Sequence, residues 1–348
     1  MATGAWPSIV DVTTRLGPDN EALPIAEMLS QCNDVVNDIP VIEANEVGGH
    51  EFAFRTSIPA GTWRAYGQGV PFGKSTTAKS RVGMGELVGY SQVDRTLAED
   101  SGNVARFRES EDVAFLEGLS QTWVGTIFYG NSVVTPSSFQ GLAPFYNTVN
   151  TNTAVNAAAV IDGGGTGNNN ASIWGIGWGD NKIFGLYPRG SKAGLAMEDK
   201  GDTMPGLDAV GNRYEAYTSW FRLQTSLCPM DWRYAFRIAN IDTTSAGLAG
   251  SNALDLFATL GQAMLLPPQL SKMASGITKT DAPSDPSPSM RFVIYVNRTV
   301  RHWMDIQGMR NRNVLLSVSD YAGRVTDTYR GVKVAIVDQL LNTEARVV

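Results

Sequence analysis

The spacing of apolar residues changes several times along this chain, and each change marks a predicted element. From Asn103 to Tyr129, Leu116, Leu119, Trp123 and Ile127 recur at three- and four-residue steps, which predicts a helix. Asn103 is placed to cap its start, Arg108 and Asp112 stand at i and i+4, and Gly130-Asn131 closes it. Twenty-seven residues make a rod of about 40 Å, long enough to brace a large flat domain. Upstream, EFAFRTSI alternates as a strand does, and Gly61, Gly67, Gly69 and Gly73 with Pro59 and Pro71 then interrupt it. Residues 51–81 therefore read as a long two-stranded loop carrying the aromatics Phe52, Phe54, Trp63, Tyr66 and Phe72.

Residues 1–50 hold one short helical pattern near 24–32 and little else with a period, so they read as an extended arm. Residues 132–240 are rich in Gly, Asn and Trp, with short alternating runs in SIWGIGWG, KIFGLYP and RYEAYTSWFRL. They predict a β-rich region with long loops, and GGGTGNNN at 163–170 a turn. A helix at about 252–266 precedes the breaker-rich linker DAPSDPSPS at 281–289. A strand (RFVIYV, 291–296), a helix (about 298–310) and a hairpin-like pair around Gly331 then form a compact mixed unit. The class is α+β, without internal repeats.

At 348 residues the chain is large enough for one big domain with an insertion, or for two, and buries a core without disulfides or metals. The low charged fraction, 18%, and eight Trp suggest surface that is covered by other subunits. A net charge of −6 excludes an overall basic field for nucleic acid. Cys32 and Cys228 read as two free thiols in a reducing compartment, a disulfide being the alternative. No basic stretch followed by an apolar one opens the chain, and its longest apolar run, 253–268, is broken by Asp255, Gly261 and Gln262, so neither a secretory signal nor a membrane span is expected.

Charge distribution adds more than net charge. Residues 1–50 carry eight acids against Arg15 alone. Residues 51–81 invert the sign, with Arg55, Arg64, Lys74, Lys79 and Arg81 against Glu51, and 86–117 invert it again with eight acids against three bases. A basic projecting loop between acidic segments suits a loop lying over a neighbour's acidic surface; a solvated mixed surface is the plain alternative.

Chemistry is hard to find. His50 and His302 have no neighbouring Cys or His from which to build a zinc site, and His302 reads as a helix-surface or packed residue. No G-x-S-x-G elbow occurs. GKST at 73–76 has Gln68 where a phosphate-binding loop needs its first Gly, while GIGWG and GMGELVG miss dinucleotide spacing. Asp162 with Asn168, Asn169 and Asn170 lacks the donor spacing of a calcium loop and reads as a polar turn. No catalytic, cofactor-binding or metal residue is assigned, no cofactor is expected, and an enzyme is the least favoured class.

Several stretches, in order, carry a resemblance: IPAGTWRAYGQGVPFGKSTT, SQVDRTLAE, FYGN, FQGLAPFYN, IDGGGTGNNNASIWGIGWGD, YPRGSKAGLAMED, DWRYAFRIANID and YVNRTV. Together they resemble the major capsid proteins of short-tailed bacteriophages, in the family related to that of the epsilon-fifteen Salmonella phage. The resemblance implies the tailed-phage (Hong Kong 97-like) capsid fold, with an N-terminal arm (1–50), an extended loop (51–100), and a spine helix with the start of a peripheral domain (101–144). A β-rich inserted or peripheral region (145–240) and an axial domain with returning peripheral strands (241–348) would follow.

It further implies a subunit that self-assembles into hexamers and pentamers of an icosahedral shell around double-stranded DNA. The expected partners are other copies, a scaffolding protein, a portal and a decoration or cementing protein, with DNA touched only non-specifically and no membrane. The expected location is the virion, after assembly in the bacterial cytoplasm. Arg55, Arg64, Lys74, Lys79 and Arg81 would face acids of an adjacent subunit such as Glu109, Glu111 and Asp112, with Trp63 and Phe72 as apolar anchors. Competing readings are an encapsulin-like compartment shell, told apart by enzyme cargo, and a β-rich glycan-binding tail or adhesin protein using Trp174 and Trp178.

Overall fold

The computed structural model describes residues 31, 33–201, 206–207, 211–244, 248, 254–268, 290–310, 316–321 and 324–348. The arm's helical pattern at 24–32, Cys32 and the linker at 281–289 lie outside the described residues, apart from Gln31.

The alternation in SIWGIGW builds the centre of the molecule. Strand β6 (Asn170–Trp178) is buried along its whole length. Trp174, Ile176 and Trp178 point into one core cluster, and Ile173 into another across the sheet. Gly175 leaves space for an aromatic ring: a Cβ there would sit 2.3 Å from the Phe236 ring. On its two edges β6 pairs antiparallel with β12 (Ala235–Asp242) and β13 (Arg291–Val296). β13 runs parallel to β16 (Val332–Ile336), which pairs with β15 (Arg324–Tyr329) and, beyond it, β14 (Leu316–Tyr321). The β15–β16 turn uses Arg330 (φ 49°) and Gly331 (φ 80°), both left-handed as a two-residue hairpin turn requires.

The regions expected to form an insertion (145–240) and a separate terminal unit (241–348) thus share one sheet. β6 and β13 are each apolar on both faces, and neither could be covered without the other's helices and loops. One face is closed by Val124, Ile127 and Phe128 from α3 (Val104–Tyr129), the long helix. The other is closed by α4 (Leu256–Ala263) and α5 (Arg298–Arg310), through Leu256, Leu260, Val300 and Met304. α4 starts at Leu256 because the Asp255 carboxylate caps it, accepting from Phe257 N and Ala258 N.

Before the long helix come α1 (Val35–Asp38), β1 (Val41–Glu43), the pair β2 (Gly49–Ser57) and β3 (Thr76–Gly83), β4 (Gly85–Asp94) and α2 (Arg95–Asp100). β11 (Ala216–Pro229) joins the two halves of the sheet. Its first ten residues pair with β4 and its last four with β7 (Ile183–Tyr187), while β8 (Leu195–Gly201) lies on its other edge. Among the described residues twelve strands connect in this one sheet, β5 (Val160–Asp162) among them on the edge of β12, while β2 with β3 and the short pair β9 (Gly206–Leu207) with β10 (Arg213–Tyr214) stand apart from it.

Two buried carboxylates fasten segments far apart in sequence. Glu344 pairs with Arg237 at 2.7 Å and accepts from Ser172 Oγ and Tyr129 OH, both at 2.5 Å. Arg237 also donates to Tyr146 O and lies over the Trp174 ring, which completes its satisfaction. Asp38 receives Arg291, Lys333 and the Tyr295 hydroxyl, and Trp178 Nε1 donates to that same hydroxyl. Cys228 is buried with its thiol free, and burial pushes that thiol up to about 12.

Candidate assembly surface

Alternation makes β2 and β3 strands, but it gives them no face to bury. They pair antiparallel from Gly49↔Gly83 to Ser57↔Thr76, with a register shift between Arg55 and Ser57. Eight or nine residues per strand reach about 30 Å. Only the root is packed: Val82 is buried with Ala44, Phe184, Leu186 and Cys228, joined by Phe52 and Met84. Ser226 Oγ donates to Gly83 O there, and Asn45 exchanges two hydrogen bonds with the Glu51 backbone.

Every residue from Ala53 to Thr77 is exposed. Trp63, Tyr66 and Phe72 are fully exposed, and Ile58 nearly so. GKST falls at the end of this tip, with Thr76 beginning β3, so it opens no helix and makes no phosphate cradle. An isolated two-stranded ribbon is marginal in water, and this one exposes its largest apolar side chains.

The five cations divide in two. Arg81 reaches Glu46 at 3.0 Å and Lys79 lies 3.8 Å from Glu51, both pairs exposed and worth little. Arg55, Arg64 and Lys74 are exposed and make no ion pair with a described residue. On the long helix Glu109 is exposed and Glu111 partly so. Asp112 is turned inward and accepts from Ser219 Oγ at 3.0 Å. Arg108 does not pair with Asp112 as the i, i+4 spacing suggested. It donates to Asp199 at 2.6 Å and to Ser219, because β11 and β8 pass directly beneath that face. That contact holds the Asp199 carboxyl below the usual carboxylate range. Within one chain the cations and the helix acids are not brought together.

The long helix has two environments. Its C-terminal turns enter the core, while Ala105, Arg106, Glu109, Val113, Ala114, Phe115 and Gly118 are exposed. Its inner face lies on β4, where Leu119 packs over Gly89. Sequence reasoning missed the stacked Tyr90–Trp220 pair on the opposite face of that sheet, with Lys200 and Arg222 over the Trp220 ring. The period-two run RYEAYTSWFRL held its signal: Trp220 and Arg222 fall on one face, opposite Tyr90 and Val88. His302 is exposed on α5 beside Trp303, and Asp162 accepts from Gly164 N and Asn240 Nδ2 within its turn.

The hairpin tip and the N-terminal half of the long helix thus leave large apolar and charged side chains uncovered on the single chain. The family model for major capsid protein GP7 matches residues 17–348. The chain belongs to that family. It is a phage capsid shell protein and so a part of the virion. The chain is similar to a protein of bacteriophage epsilon15, with 28% identity and a TM-score of 0.71, over 100% of this chain and 99% of that one. Looser likenesses are to the capsid of bacteriophage JBD30 (11% identity, TM-score 0.42, 91% of each chain) and an encapsulin of Synechococcus elongatus (10%, 0.44, 68% of this chain and 96% of that one). No curated protein matches. The fold is that of tailed-phage capsid proteins, and the shell of a virus is favoured over that of an encapsulin by the family match and by epsilon15.

Proposed function

We propose that this capsid protein joins its neighbours through the β2–β3 hairpin, closing hexamers and pentamers into an icosahedral shell around double-stranded DNA. The observation that carries this reading is the tip: Trp63, Tyr66 and Phe72 fully exposed on a ribbon without a core of its own. Trp63 and Phe72 anchor on the adjacent subunit, the kind of residues that dominate interfaces. Arg55, Arg64 and Lys74 face the neighbour's helix at Glu109 and Glu111, while Lys79, Arg81 and Asp112 serve chiefly inside their own chain. Each exposed pair contributes about 0–1 kcal/mol, so closure rests on repetition, and weak contacts permit error correction.

Under the same proposal residues 1–50 are the arm, 51–100 the extended loop and 101–144 the spine with the start of a peripheral domain. A scaffolding protein, a portal and a decoration protein complete the particle, assembled in the bacterial cytoplasm. The role is structural and not catalytic. The acidic chain limits adhesion to packaged DNA.

The test is simultaneous charge reversal, Arg55→Glu, Arg64→Glu and Lys74→Glu, scored by electron microscopy of particles. Particle yield and salt tolerance are expected to fall while the subunit stays folded. Unchanged yield and salt tolerance would remove the hairpin from the principal contacts.

A further inference from the structure

We infer that residues 24–30, just before Gln31, seat their apolar side in a groove beside the long helix of their own chain. The inference does not depend on the hairpin contact, and it gives the root of the arm a fixed station. The groove, about 540 Å3, opens between the C-terminal half of α3, the start of β4 and the loop after the helix. Leu87, Trp123, Tyr129, Val134 and Phe139 form its apolar wall. Val134 at the rim is exposed, whereas Phe139 at the base is buried.

Position, direction and pattern select this segment as occupant. Gln31 N donates to Glu117 Oε1 at 3.0 Å, and Gln339 Nε2 donates to Gln31 Oε1 at 2.5 Å. Glu117, Gln121 and Gly125 follow at four-residue steps on one side of α3. Gly125 lines the groove and also lies against Gln339, whose Oε1 would be 3.4 Å from a Cβ there. The chain is therefore delivered to the groove's edge. From Gln31 it runs inward to Asn33, which bridges the buried Val337, so the residues before Gln31 arrive from the outward side, where the groove opens. In sequence Ile25, Met28 and Leu29 recur at three- and four-residue steps behind Pro24, which suits a helix start, and Glu27 and Ser30 fall on the opposite side. Seven helical residues span about 10 Å, the length over which Thr122 to Tyr129 line the groove. The apolar side meets an apolar wall and the polar side meets water. Tethering at Gln31 holds the segment at an effective concentration of about a millimolar or more, which favours it over the same segment of another copy.

The experiment is disulfide trapping in the full chain, both unassembled and in particles. Met28→Cys is combined with Thr122→Cys in a Cys32→Ser background, where Cys228 is buried and unreactive. The expected result after oxidation is an intrachain bond, seen as a faster-running monomer on a non-reducing gel and undiminished by dilution. A parallel pair places the second cysteine at Ala114, exposed on the same helix about 12 Å from Thr122, and is expected to give no bond. Ile25→Asp with Leu29→Asp is expected to abolish the bond at Thr122 and to speed maleimide labelling of Thr122→Cys several-fold. Bonds that join copies would overturn the own-chain seat, and equal trapping at Ala114 and Thr122 would show an arm without a seat. Where no bond forms, labelling decides: a rate unchanged by Ile25→Asp with Leu29→Asp would overturn the inference.

Discussion

Around Trp174 the buried charges find partners within the chain, although the Trp174 indole N–H itself has none, whereas from Ala53 to Thr77 almost no side chain is partnered. The first region satisfies even its charges: Glu344 meets Arg237, Ser172 and Tyr129, and Asp38 meets Arg291, Lys333 and Tyr295. The second leaves Trp63, Tyr66 and Phe72 in water and Arg55, Arg64 and Lys74 without an ion pair to a described residue. The two regions answer to different equilibria. Under the proposed function one determines whether the subunit folds and the other whether subunits meet, and substitutions are expected to separate them.

The largest effect belongs to the buried pair. Glu344→Ala strands the Arg237 guanidinium in a core where both side chains are about 5% exposed, and Arg237→Ala strands the carboxylate. Either costs about 3–5 kcal/mol, visible as a lower urea midpoint of the unassembled subunit. Replacing both by apolar residues of similar volume, Arg237→Met with Glu344→Leu, is expected to recover much of the loss. Trp63→Ala makes the contrast: it moves the midpoint by less than about 0.5 kcal/mol, because a fully exposed side chain loses nothing on the folded subunit. Equal shifts from Trp63→Ala and Glu344→Ala would erase the division between the regions.

Alkaline pH sharpens the same comparison. Burial raises the phenols of Tyr129, Tyr146 and Tyr295 far above their usual range, with Glu344, Asp231 and Asp38 adding to it in turn. A group whose folded pKa is raised stabilises fully below its unfolded pKa and loses that contribution as pH rises beyond it. The core is therefore expected to keep its stability up to about pH 10 and to weaken steeply above. Tyrosinate absorbance at 295 nm, followed with unfolding, checks it: Tyr129, Tyr146 and Tyr295 are expected to ionise only together with the loss of folded structure.

How far this division was legible in the sequence differs by element. Period and punctuation are local, so the long helix, β6, β13, α5 and the Gly331 turn could be read from the residues, including the Asn103 cap. The hairpin was legible for the same reason, its glycines and prolines interrupting an alternating run. What local pattern could not supply was partnership across the chain. Arg237 and Glu344 are 107 residues apart and Asp38 and Arg291 253 apart, and nothing in their neighbourhoods announces either pair. Arg108 shows the converse: its helical neighbour Asp112 was the evident partner, yet the sheet beneath offered Asp199 and Ser219. Charge alone pointed to all five hairpin cations equally, while the fold assigns Lys79 and Arg81 to acids of their own chain.

The N-terminal half of the long helix belongs to neither region, and it gives the smallest and most discriminating prediction. Asn103 Oδ1 accepts from Arg106 N, one of the four amides a helix start leaves without a helical partner. Beyond that bond the first turn is held by Phe107, buried with Val93, Leu97 and Ala98 in a small cluster apart from the main core. Asn103→Ala is expected to cost about 1 kcal/mol, and Asn103→Asp almost nothing, since its carboxylate caps as well and favours the positive end of the helix dipole. The loss is expected to be local, as faster hydrogen exchange at residues 104–108 with amides near Phe128 unchanged. If exchange quickens along the whole helix, its two halves form one cooperative unit and the exposed half shares the stability of the core. If only the first turn responds, the subunit keeps a rigid centre and an adjustable rim next to the hairpin, and the division between folding and meeting neighbours runs through the helix itself.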